Sequence, residues 1–67
     1  MKLTEIGKHL KSVRVSKNIS QKDLSDISEM SLVMVYKVEK GDNVTIQSLQ
    51  KYLTGLNQKI EVVGVNP

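Results

Sequence analysis

The sequence predicts a mainly α fold: a bundle of four short helices, then one C-terminal β-strand that must find its partner outside its own chain. Three observations predict it. Apolar residues recur at helical spacing along most of the chain. Capping residues and a glycine cut that pattern into short pieces. The last stretch, Lys59–Val65, abandons helical spacing for a β-branched run.

The first helix is expected over Lys2–Lys17. Ile6, Leu10 and Val13 stand at i, i+4 and i+7 and make one apolar stripe. Thr4 is placed to cap its start, Glu5 suits the first turn, and Asn18 marks its end. Lys8, Lys11 and Lys17 fall on the other faces. Ser20-Gln21-Lys22-Asp23 opens a second helix, with serine at the N-cap and an acid three residues on, close to a capping box. Leu24 and Ile27 form its buried side, and Ser25 and Ser28 are small enough to let another helix approach. A third helix runs from a Ser31 cap to Lys40, with Gly41 just beyond as a stop. Its interior, Val33–Val38, is rich in β-branched residues that favour a strand by propensity; the caps at both ends decide for a helix. Asp42-Asn43 is a turn. Thr45 can cap a fourth helix with the stripe Ile46, Leu49, Leu53 and Leu56. Gly55 either ends it or weakens its last turn, by about 1 kcal/mol relative to alanine.

Lys59–Val65 then reads as one strand. A single strand cannot satisfy its own backbone N–H and C=O groups, so it must find a partner edge outside this chain or be disordered; pairing with a second copy across a two-fold axis is the economical solution. Ile60, Val62, Val63 and Val65 are the candidate dimerisation residues. The chain divides into residues 1–57, the helical domain, and 58–67, the dimerisation strand and tail.

At 67 residues the chain is one small domain, burying only about 60% of its unfolded surface. There is no cysteine, and His9 is the lone histidine. Disulfides and a metal cluster are therefore not expected to supply stability, which leaves self-association. No cofactor is expected. The net charge of +3 permits nucleic-acid binding without demanding it. The N-terminus lacks a secretory h-region, and the longest apolar stretch, Leu32–Tyr36, is too short to span a bilayer. With the absence of cysteine this points to the cytoplasm and away from membranes. An enzyme is not expected: there is no glycine-rich phosphate loop, no thiol and no carboxylate pair on a plausible cleft.

Ser20–Gly41 is the informative window. Two short capped helices flank the turn Glu29-Met30-Ser31, the layout in which the second helix enters the DNA major groove. Three stretches carry a resemblance: Ile6, Leu10 and Arg14; Ile19, Ser20, Gln21 and Leu24; and Ser31, Val35, Val38, Glu39 and Gly41. Together they resemble the Xre or lambda-repressor-like helix-turn-helix family over most of Ile6–Leu56. The resemblance implies an ion pair between Arg14 and Glu39 that ties the recognition helix to the first helix; the alternative is two unrelated surface charges. It implies that Gln21 contacts a DNA phosphate, against an exposed helix-start residue. Lys22 either touches phosphate or solvates its face.

Leu32, Val33, Tyr36 and Lys37 occupy the family's base-reading positions. Leucine and valine depart from the usual polar residues there. They can contact a thymine methyl, while Lys37 can reach guanine O6 and N7 or a phosphate. The alternative is that Leu32 and Val33 are core or cover a partner protein. Lys40 sits where phosphate contacts are common, and equally suits a solvated helix C-terminus. Glu29 also departs from the family, which often has glycine in that turn.

The short turn, single helix and terminal strand after Gly41 are similar to HipB-type antitoxins. This implies a homodimeric repressor on a palindromic operator, autorepressing a toxin–antitoxin operon, with a partner toxin resembling the HipA-type kinases. The alternatives are a stand-alone phage or restriction-modification regulator, and a degenerate helix-turn-helix serving as a protein-interaction module.

Overall fold

The computed structural model describes residues 2–62, and side chains for residues 2–56. Among the described residues four helices follow one another: α1 (Leu3–Ser16), α2 (Gln21–Ser28), α3 (Leu32–Lys40) and α4 (Ile46–Val62). α3 sits centrally and packs on α1, α2 and α4, while α2 also packs on α4. Leu10, Ile19, Leu24, Val35, Val38, Tyr52 and Leu56 form the core, with Ile6, Val13, Met30, Val44 and Leu49 packed around it.

The helix starts are set by side-chain caps. Ser20 Oγ accepts from the Asp23 N–H at 2.9 Å, and the Asp23 carboxylate accepts from the Ser20 N–H at 3.4 Å, a reciprocal box. Ser31 Oγ accepts from the Met34 N–H and Thr45 Oγ1 from the Ser48 N–H, each at 3.1 Å. At α1 the cap expected of Thr4 is displaced. Helix begins at Leu3, and the Lys2 N–H donates to the Glu5 carboxylate at 3.1 Å. The acid in the first turn already satisfies an exposed N–H there, so the threonine lies within the helix.

The ends of α1, α2 and α3 share one device. Asn18, Glu29 and Gly41 take the left-handed conformation, with φ of 60°, 59° and 86°. After each, a backbone N–H reaches five residues back: Ile19 to Arg14, Met30 to Ser25 and Asp42 to Lys37. This is the Schellman closure, which satisfies carbonyls that a helix end leaves open. In this way a segment of strand-like composition is held as α3. Ser31 and Gly41 fix its two ends, and burial of Val35 and Val38 rewards the helical register.

Two glycines permit close crossings. A methyl group on Gly7 would lie 2.5 Å from the Glu39 carbonyl oxygen and 2.7 Å from that of Val38. Here α1 rests directly on the backbone of α3's last turn. Gly55 does not end α4. It is buried against α2, where a Cβ would meet Leu24 Cδ1 at 2.8 Å and Ser28 Cβ at 3.0 Å. Ser28 is buried too, and its hydroxyl donates to the Leu24 carbonyl at 2.6 Å, so the small residue adds no unsatisfied group.

Two expectations for the C-terminal third are corrected. The inward stripe of α4 is Leu49, Tyr52 and Leu56; Ile46 and Leu53 are exposed. Residues 59–62, expected to begin a strand, continue α4 to Val62. A helix satisfies its backbone groups within the segment, whereas a lone strand has no partner in this chain. Ile60 and Val62 therefore lie in helix, and α4 crosses the boundary expected between residues 57 and 58. Val63 and Val65, with the rest of that expected strand, lie outside the described residues. No helix among the described residues is long and apolar enough to cross a membrane.

Candidate nucleic-acid interface

The face of α3 turned away from the core follows from its burial pattern. Val35, Val38 and Glu39 point inward. Val33, Tyr36, Lys37 and Lys40 are exposed, and their i, i+3, i+4 and i+7 spacing puts them on one stripe. Val33 is 59% and Tyr36 48% exposed. Neither is core, so the core alternative fails for Val33. Leu32, at the start of the helix, is half-buried. The stripe combines two ammonium groups, a phenol and an exposed valine, a mixture able to meet phosphates, base edges and thymine methyls.

Beneath this stripe lies a buried polar cluster. Arg14 Nε donates to Glu39 Oε2 at 2.6 Å and Nη2 to Oε1 at 3.2 Å, a two-pronged pair with both residues under a tenth exposed. The third guanidinium nitrogen, Nη1, donates to the Ile19 carbonyl at 2.8 Å, bracing the turn that leads into α2. Tyr52, fully buried on α4, donates its hydroxyl to Glu39 Oε2 at 2.5 Å. Gln21, first residue of α2, donates from Nε2 to Glu39 Oε1 at 3.0 Å. One carboxylate on α3 thus accepts from α1, α2 and α4. A carboxylate offers about four lone-pair positions, and here each oxygen receives two donors.

Electrostatics follow from this arrangement. Burial works against charge on Glu39, but hydrogen bonds from Arg14, Tyr52 and Gln21 outweigh it and hold the carboxyl below its ordinary range. The hydrogen bond to Glu39 leads in holding the Arg14 guanidinium above its ordinary value. Burial, and then the bond to Glu39, push the Tyr52 phenol up, so it remains a donor.

Gln21 is half-buried and engaged at its Nε2, with the rest of its carboxamide available. It stands at the first turn of α2, where backbone N–H groups lack intrahelical acceptors. Lys22 is exposed but paired with Asp26 at 3.0 Å across one helical turn, which leaves it less available to phosphate. Tyr52 and Gly7 were not among the candidates drawn from the sequence. The signal for Tyr52 was its i+3 spacing from Leu49; that for Gly7 was a glycine inside an amphipathic helix. Among the described residues no cluster of His, Cys, Asp and Glu could hold a metal ion.

Residues 10–63 match a family model described as "Helix-turn-helix". No curated protein matches the chain.

Proposed function

The chain belongs to the Xre/lambda-repressor-like helix-turn-helix family, and from that membership we propose that it is a homodimeric transcriptional repressor whose α3 enters the major groove. The observation that supports this best is the exposed stripe Val33, Tyr36, Lys37 and Lys40. It lies on a short helix whose other side is fastened by the buried Arg14–Glu39 pair. The recognition helix is thereby presented as a rigid body, and its order need not be established on binding.

In this reading Lys37 reaches a guanine edge or a phosphate, and Lys40 touches backbone at the rim. Val33 and Leu32 meet thymine methyls, and Tyr36 packs on sugar or donates to a base. Gln21 and the start of α2 receive a phosphate, with Lys22 a secondary contact. Two copies address half-sites about 34 Å apart on a palindromic operator. The dimer contact is proposed for the C-terminal segment containing Ile60, Val62, Val63 and Val65, and what supports it is the apolar composition of that run rather than an unpaired strand. The finer proposal, a HipB-type antitoxin with a HipA-like kinase partner, keeps one support in the chain: the short turn after Gly41 leads straight into a single helix.

A binding titration against the DNA upstream of the chain's own gene, beside mixed-sequence DNA, tests the reading. Specific binding tighter by about a thousandfold or more is expected at physiological salt. Equal, weak binding to both removes the repressor function. A kinase-like neighbouring gene whose product co-purifies with this chain supports the antitoxin proposal, and its absence favours a stand-alone regulator.

A further inference from the structure

We propose that Tyr52 is a positioning residue for DNA binding, acting through Glu39 to fix the carboxamide of Gln21 toward a backbone phosphate; this rests on the function proposed above. The chain of contacts is short and fully specified. The Tyr52 hydroxyl donates to Glu39 Oε2 at 2.5 Å, and Glu39 Oε1 accepts from Gln21 Nε2 at 3.0 Å. Tyr52 has no solvent exposure and Gln21 is half-buried, so the chain runs from the core to the edge of the interface.

The chemistry gives this chain a direction. An ionised carboxylate only accepts, so it selects the orientation of the carboxamide that places Nε2 inward. One N–H of that nitrogen is spent on Glu39. The other, with the backbone N–H groups of Gln21 and Lys22 that precede the capped Asp23, is a donor suited to a phosphate oxygen. Rotated the other way, the amide oxygen would face Glu39 and repel it.

Tyr52 matters because it fixes the carboxylate. Arg14 grips both oxygens, but closely only at Oε2, with Nε at 2.6 Å against 3.2 Å for Nη2 at Oε1. The phenol occupies the second position on Oε2, and the plane that presents Oε1 to Gln21 is then determined. Without the phenol, Gln21 has a mobile acceptor and samples more orientations, and the ordering must be supplied on binding.

A double-mutant cycle on affinity separates this role from a merely structural one. Wild type, Tyr52→Phe, Gln21→Ala and the double variant are titrated with a mixed-sequence duplex at low salt, at a temperature where circular dichroism shows all four folded. Tyr52→Phe should weaken binding by about three- to tenfold when Gln21 is present and by less than about twofold when it is absent. Equal losses in both backgrounds, or no loss in either, overturn the inference while leaving DNA binding by the chain intact. Absence of DNA binding by the wild type overturns both. Should Tyr52→Phe not fold, the side-chain amide of Gln21 in wild-type protein gives the answer by nuclear magnetic resonance. Its protons should exchange more slowly than those of exposed Gln47 and Gln50, and one should shift when duplex is added. Exchange as fast as at Gln47 overturns the inference.

Discussion

Replacing Gly7 with alanine sets helix propensity against packing. Propensity favours the change by about 1 kcal/mol, since glycine is the poorest ordinary residue inside a helix. Packing opposes it. The new Cβ would stand 2.5 Å from the Glu39 oxygen, 2.7 Å from the Val38 oxygen and 2.9 Å from the Glu39 carbonyl carbon. All three are backbone atoms, which cannot rotate aside as a side chain could. Relief therefore requires α1 and α3 to separate, loosening the contact that also brings Arg14 to Glu39. Overpacking of this kind costs about 1–3 kcal/mol, and immovable neighbours put it at the upper end. The net expectation is a loss of about 2 kcal/mol, or roughly 8–16 °C in Tm for a domain of this size. Thermal melts followed by circular dichroism measure it. Ser12→Ala, an exposed change on the same helix, is the control and should gain a few tenths of a kcal/mol. A Gly7→Ala protein that melts above wild type would refute the close crossing.

Acid should unfold the protein through Glu39. Its folded pKa is depressed, so its contribution to stability is complete above the ordinary glutamate value and is lost as pH falls below it; a denaturation series should show Arg14→Met, which leaves the carboxylate buried and half-partnered, costing about 3–5 kcal/mol at neutral pH. Glu29→Gly should raise stability by about 0.5–1 kcal/mol, because a non-glycine residue is held at φ 59°, and a lower midpoint in urea would mean that the Glu29 side chain contributes something its backbone conformation hides. Lys37→Ala should weaken operator binding by about 1–3 kcal/mol if it reads a base; if it touches only phosphate, random DNA should suffer equally and the salt slope should drop by about one. Val33→Ser should leave the melting curve unchanged, since the side chain is 59% exposed, and should relax preference at one base pair. An unaltered preference would move Val33 to a protein-facing role.

The helical order was legible because local chemistry and burial agree. Ser20 and Asp23 form a reciprocal cap from two residues three apart, and Gly41 stops α3 where a left-handed residue is needed. Even the β-branched interior of α3 yielded to its caps. Less legible was α4. Ile46, Leu49, Leu53 and Leu56 share helical spacing with the true inward set of Leu49, Tyr52 and Leu56, and hydrophobicity ranks leucine and isoleucine above tyrosine. What reverses the order is a hydroxyl with a buried acceptor waiting for it, a tertiary fact that no window of sequence contains. For the same reason the resemblance led to Arg14 and Glu39 but not to their third and fourth partners. The stretch Lys59–Val65 shows the opposite failure. Its composition suits a strand, but residues 59–62 are the end of a helix already under way.

The carboxylate of Glu39 also bears on how this chain folds. Its four donors arrive from three other helices, so any partly formed species that lacks one of those helices strands an acceptor in a place water barely reaches. Each such species carries a desolvation cost of about 1–3 kcal/mol that neither the complete fold nor the open chain bears. Intermediates are thereby raised relative to both end states, which is the condition for all-or-none unfolding. Amide hydrogens in the cores of the four helices would then exchange through one shared global opening, and a chain of this size would have no stable half.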